Sequence, residues 1–235
     1  MALPKIAIPK FSVTLPSTGE KIHFRPFLVK EEKVLLIAMQ SEDESAIIDA
    51  VRDVVVACVD EKINAAKLPY FDIEYLFLNI RAKSVGEQIN LEYRHTGGIN
   101  YQGIQCEVVT PVQINIEEVK VDKLEGHTNK IMLTDTMGIE MKYPSIDEIN
   151  SIAKGTDELE MLARCIKCVF DEQNVYDPDN LRDSIAFIEN LNSEQFSKIT
   201  QFFNSMPKLR HSIKYTCRGC GQEDVVKLEG LSDFF

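Results

Sequence analysis

Tyr93-Arg94-His95-Thr96-Gly97-Gly98 and Tyr215-Thr216-Cys217-Arg218-Gly219-Cys220 decide how this chain is read. Both tight polar turns follow an alternating apolar segment, open on Tyr and place Gly at the fifth position. They part at two sites, where His95 and Gly98 stand opposite Cys217 and Cys220. Working outward, each turn closes the same plan. Residues 11–27 predict a β-hairpin turning at Pro16-Ser17-Thr18-Gly19 and running into Pro26, with helices after it. Residues 130–144 repeat that plan, turning at Asp135-Thr136-Met137-Gly138, alternating through Ile139, Met141 and Tyr143 and reaching Pro144. The offset of roughly 120 residues is too long for a solenoid repeat and suggests a duplicated domain. The expectation is an α+β protein of two related halves, residues 1–122 and 123–235. Each half would hold a β-hairpin, a helical bundle and a closing hairpin with a knuckle-like turn. Residues 119–128 carry the boundary.

Helical spacing of Ile47, Ile48, Val51, Val54, Val55 and Cys58 predicts a buried stripe, after a helix over 30–39. Asp72 is a candidate cap for the next helix, whose inner face is Ile73, Leu76, Phe77 and Ile80. Alternation predicts strands at Ile89–Tyr93, at Ile104, Cys106 and Val108, and at Val112, Ile114 and Ile116. Ser145 with Glu148 and Asn192 with Gln195 read as capping boxes, and Gly155 as a helix stop. Thr156 would open a helix whose buried stripe runs Leu159, Leu162, Ala163, Ile166, Val169 and Phe170. Ile213 and Tyr215, then Val225 and Leu228, predict the closing hairpin around the cysteine turn. The ending Leu231-Ser-Asp-Phe234-Phe235 is apolar enough to require docking, on its own core or on a partner.

The chain carries 26 Lys+Arg against 37 Asp+Glu, a formal charge of −11. That balance argues against nucleic-acid binding, which needs a concentrated basic surface, and suits a basic protein partner. No run of apolar residues is long enough to span a membrane, and the start lacks the apolar core of a signal peptide. A reducing cytoplasm is the default, so the six cysteines read as thiols or metal ligands before disulfides.

Cys217-Arg-Gly-Cys220-Gly221 is the strongest chemical signal. Such a turn points both sulfurs at one place, and glycine supplies the positive φ that aims N–H groups at thiolates. It gives two ligands where structural zinc takes four. The sharper reading completes a Cys3His set with His95 and Cys106; the plainer one is a relic hairpin with reduced thiols and no metal. Cys165-Ile166-Lys167-Cys168 has the same spacing inside an expected helix and reads as an ordinary helical segment. The acidic stretch 171–183 lacks the glycine of a calcium loop and reads as a solvated loop between helices. His23, His95, His127 and His211 are scattered, and no nucleophile motif or phosphate-binding loop occurs. No catalytic residue is named, and neither an enzyme nor a small-molecule substrate is expected.

Several stretches together resemble the T4-type bacteriophage baseplate hub assembly protein family. They are Leu15-Pro16-Ser17-Thr18-Gly19 with Phe24-Arg25-Pro26-Phe27 and Lys30-Glu31-Glu32-Lys33; Phe71-Asp72-Ile73-Glu74-Tyr75-Leu76-Phe77 with Arg81 and Ser84-Val85-Gly86-Glu87; and Cys217, Cys220 and Gly221 with Gly230-Leu231 and Asp233-Phe234-Phe235. The resemblance implies a non-enzymatic protein of the host bacterial cytoplasm, acting late in infection to build the hub of a contractile-tail baseplate. Its implied partners are baseplate hub proteins, and retention in the virion baseplate stays open. The competing class is a zinc-ribbon-like adaptor for nucleic acid or a transcription component.

Overall fold

The computed structural model describes residues 6–95, 98, 99, 103 and 106–234. The chain is mixed α+β, with helices packed among small antiparallel sheets. It begins with the expected hairpin, β1 (Phe11–Thr14) and β2 (Lys21–Phe24), paired Phe11 to Phe24. Two helices follow, α1 (Val29–Gln40) and α2 (Glu44–Cys58). The stripe of α2 is buried at Ile48, Val51, Val54, Val55 and Cys58.

The next helix, α3 (Tyr70–Val85), is the centre of the molecule. Ile73, Leu76, Phe77, Leu78 and Ile80 are all fully buried, so it is enclosed on more than the one face expected of it. Asp72 does not cap it. The helix starts after Pro69, and the Asp72 carboxylate instead accepts hydrogen bonds from the backbone N–H and hydroxyl of Ser17 in the first hairpin turn. Pro69 precedes the first helical residue, and Asp72, within the first turn, spends its carboxylate on this long-range bond. Gly86 ends the helix at φ +113°, a region glycine alone enters without strain.

A second hairpin joins β3 (Gln88–Arg94) to β4 (Val109–Asn115), with Tyr93 opposite Thr110. Of the strand expected through Ile104, Cys106 and Val108, residues 106–108 are not strand. Ile104 lies outside the described residues, and the Cys106 N–H is taken by the Gly98 carbonyl at 2.6 Å, so the ladder starts only at Val109. After β5 (Lys120–Asp122), β6 (Lys130–Met132) and β7 (Gly138–Met141) form the hairpin read from residues 130–144.

Helix α4 (Ile146–Ala153) opens on the Ser145/Glu148 capping box, and Gly155 follows it at φ +87°. Helix α5 (Glu158–Arg164) starts after Asp157, one residue later than expected, and stops much earlier. Ile166–Phe170 is not helix but strand β8, paired with β7, and β9 (Val175–Tyr176) extends the sheet. A run rich in β-branched and aromatic residues suits a pleated strand. Ile166 and Cys168, two apart, share its buried face while Lys167 points out to Glu140. The acidic stretch after it thus links strand to helix, and Asp171 folds it by accepting from the N–H groups of Gln173 and Asn174.

Helices α6 (Leu181–Glu189) and α7 (Ser193–Ser205) complete the second group, α7 opening on the Asn192/Gln195 capping box. The chain then forms β10 (Lys208–Thr216) and β11 (Glu223–Glu229), a hairpin whose first strand also pairs with β5. One hydrophobic cluster lies around α2 and α3 and takes in Ile146, Leu209, Leu228, Leu231 and Phe234. Phe234 therefore docks in the protein's own core, while Phe235 lies outside the described residues. The other cluster gathers Ile139, Met141, Leu162, Ile166, Ile199 and Phe202. Between them, the Tyr143 ring meets Phe71 edge-on at 5.2 Å and stacks on Phe202 at 5.6 Å.

Candidate metal centre

The hairpins β3–β4 and β10–β11 lie side by side, with the rings of Tyr93 and Tyr215 6.3 Å apart. Two residues beyond each tyrosine the chain leaves its strand, at His95 and at Cys217. The tips therefore bring together His95, Cys106, Cys217 and Cys220, whose ligand atoms all lie within 4.8 Å of one another. The first three are buried and Cys220 is partly so. Thr96 and Gly97 lie outside the described residues.

Backbone geometry aims the donors inward. Cys217 N–H bonds to the Gln222 carbonyl and Gly221 N–H to the Cys217 carbonyl, closing the Cys-x-x-Cys loop with Gly221 at φ +73°. Gly219 N–H points at the Cys217 sulfur at 3.4 Å, and the Thr110 hydroxyl donates to it from 3.9 Å. Across the gap, Sγ of Cys106 lies 3.6 Å from Sγ of Cys217, and Nδ1 of His95 lies 3.2 Å from Sγ of Cys220. Nε2 of His95 faces the Asp224 carboxylate at 3.8 Å. Glycine is required on both sides of the cluster by close approach. A Cβ on Gly219 would meet Val108 Cγ2 at 2.5 Å, and one on Gly98 would meet Sγ of Cys220 at 2.8 Å and collide with the His95 ring.

The Cys220 N–H lowers the Cys217 thiol to about 6, against burial and with help from Gly219 N–H and the neighbouring thiols. For Cys106 the Val108 N–H works downward, but burial and the sulfurs of Cys217 and Cys220 outweigh it and raise the thiol. The N–H groups that point at Cys217 thus favour its thiolate form.

This set fits a tetrahedral metal. Zn–S bonds of about 2.3 Å and a Zn–N bond of about 2.1 Å place ligand atoms roughly 3.5–3.8 Å apart, which small side-chain shifts reach from separations of 3.6 Å, 3.2 Å and at most 4.8 Å. The Cys106–Cys217 separation of 3.6 Å is far beyond a disulfide, at about 2.05 Å. An imidazole with its outer nitrogen toward a carboxylate is the usual arrangement of a ligating histidine. His95 and Cys106, offered by the sequence as completing ligands, lie beside Cys217 and Cys220. Thr110 and Asp224 carry no sequence signal and are reached only through strand register. Cys165 and Cys168 lie elsewhere, near Met161 and Glu140, and burial pushes the Cys165 thiol up to about 12. His23 pairs with Glu61, and the His127 ring stacks on Tyr143 and meets Phe202 at a tilt.

Fold and site together define a mixed α+β protein whose chemically distinct feature is a Cys3His donor set joining two hairpin tips. The chain belongs to a family described as T4 bacteriophage base plate protein, whose model matches residues 8–235. Membership gives it a role in the structure or assembly of a phage baseplate among other baseplate proteins. Comparison with curated proteins and with solved structures gave no match. No helix among the described residues is long and apolar enough to cross a membrane.

Proposed function

We propose that this protein is a non-enzymatic assembly factor or minor subunit of a contractile-tail baseplate hub, acting by binding hub proteins. The family match over residues 8–235 carries the reading. The acidic charge of −11 supports a basic protein partner over nucleic acid. Affinity purification from phage-infected cells tests it: baseplate hub proteins are expected to co-purify, and deletion of the gene to stop tail assembly. Recovery of the protein alone, together with normal infection after deletion, overturns it.

Within that role, His95, Cys106, Cys217 and Cys220 would hold a structural zinc, which supplies four-point cross-linking and no reaction step. With all four positions taken by protein there is no open site for substrate. The staple would tie β3–β4 to β10–β11. Elemental analysis is expected to give one zinc per chain, lost in Cys217→Ser. Less than a tenth of that content in protein purified without chelator removes the metal from the account. The same geometry supports residues 1–122 and 123–235 as copies of one plan. Tyr93 and Tyr215 precede the tips by the same two residues, and one tip has kept both cysteines while the other offers His95 and Gly98.

A further inference from the structure

Helix α1 leaves large apolar side chains in solvent, interspersed with the exposed Lys30, Lys33 and Gln40. Its first turn is pinned from within by charge: Glu31 is buried, receives the Arg25 guanidinium at 2.9 Å and accepts from the Leu28 N–H at 2.8 Å. Val29 (80%), Leu36 (52%) and Ile37 (58%) are left in solvent. A helix with apolar residues on its outer faces as well as its inner one is suited to being covered. Val29, Leu36 and Met39, spaced seven and then three residues apart, form one ridge along α1.

That ridge borders a groove of about 540 Å³ between α1, α2 and the turn after β11. Leu35 and Met39 form one wall, Ile47 and Val51 the other. Its ionisable carboxyls are Glu42 and Glu44, exposed at the α1–α2 turn, and Glu74, buried at the base, and no Lys or Arg among the described residues lines it. One oxygen of Glu74 accepts the Leu231 N–H at 2.7 Å, and the other makes no hydrogen bond to any described residue.

We propose that the groove and the Val29–Leu36–Met39 ridge receive an amphipathic helix of a basic partner protein. Its apolar face would lie on the ridge and its Lys or Arg side chains would reach Glu42 and Glu44. This rests on the binding role proposed above and gives it a surface. A second copy of the chain fits poorly, because it would bring another acidic groove and another −11 charges to the contact. An apolar stripe in a groove with charges at the rim is the usual way a helix is gripped.

The probe is a fluorescein-labelled Leu/Lys peptide of about 18 residues, which outspans α1 at about 1.5 Å per residue. Its partner is a Leu/Glu peptide with the same apolar face. Anisotropy titration is expected to show the Leu/Lys peptide binding at least about tenfold more tightly. The double change Glu42→Lys with Glu44→Lys, and separately Leu36→Ser, should each weaken it about tenfold. Asp135→Lys, at the distant β6–β7 turn, should leave it unchanged. All these sites are exposed, so unaltered thermal melts are expected to show that folding is intact. Equal binding of the two peptides, equal loss in Asp135→Lys, or a dimer in sedimentation that Leu36→Ser abolishes would overturn the proposal. The readouts separate it from the assembly role. Hub proteins that co-purify undiminished with the Glu42→Lys/Glu44→Lys protein refute the groove alone, whereas no co-purification with the unaltered chain refutes the role.

Discussion

Gly98 ligates nothing, yet the donor set depends on it. A methyl group there would press on the His95 ring and lie 2.8 Å from Sγ of Cys220, so one of the two must move. If the set holds zinc as proposed, Gly98→Ala is expected to lower zinc content and weaken metal retention against a competing chelator by at least about tenfold, with elemental analysis and a colorimetric zinc assay as readouts. Retention equal to the unaltered protein would show that the tip has room to spare. Glu74 makes a second residue-scale prediction. Burial raises its carboxyl to about 7, against the Leu231 N–H and Lys208, with Glu229 adding to the rise and Tyr70 and Glu44 nearby. The folded protein thus holds a proton that the unfolded chain releases above about 4.5. This stabilisation is complete below about 4.5 and is lost as pH climbs through about 7, some 3 kcal/mol in all to order of magnitude. Glu74→Gln should flatten that decline. Melts at pH 5 to pH 8 should show the variant gaining on the parent as pH rises, and a constant difference would exclude Glu74 as the source.

At the scale of elements, most of the first half was legible because its periods are unambiguous. The stripe of α2 and the alternation of β3 each admit one reading, and both are where the sequence puts them. The failure at residues 165–170 is instructive. Leu162, Ala163, Ile166 and Val169 fit a helical face, but Ile166, Cys168 and Phe170 fit a strand equally well. Only the open edge of β7, known from tertiary structure, decides for the strand. That pairing places Gly138 directly against Phe170: a Cβ would meet the ring at 2.5 Å and the Ile131 carbonyl at 2.9 Å. Gly138→Ala should cost about 1–3 kcal/mol in denaturant unfolding through overpacking. A stability loss below about 0.5 kcal/mol would mean that the sheet yields there. Asp72 shows the same limit. Its type suits a cap, but its partner Ser17 lies in a different hairpin and no local pattern reveals it.

For the whole molecule, the candidate site was half written in the sequence. Cys217 and Cys220 announce themselves by spacing, whereas His95 and Cys106 could be joined to them only through the resemblance between the two turns. In the structure the four side chains meet because one hairpin tip packs beside the other. If zinc is the staple, its loss should loosen two hairpins at once. EDTA should lower the Tm of the unaltered protein by about 5 °C or more and leave Cys217→Ser unmoved. An equal fall in both would point to an effect of the chelator unrelated to these thiols.

The first hydrophobic cluster is closed by Leu209, Leu228, Leu231 and Phe234, which arrive on the chain long after the α2 and α3 surfaces that they cover. A ribosome making this protein must therefore pass Phe234 before the earliest core can be sealed. Until then α3, with Asp72 and Glu74 on it, has no complete shelter. The groove beside α1, whose rim includes Gly230 and Leu231, therefore takes shape only when the end of β11 has packed against α2 and α3. A chain without Gly230 and Leu231 would lack part of the groove wall, so a partner that docks there as proposed would discriminate against it.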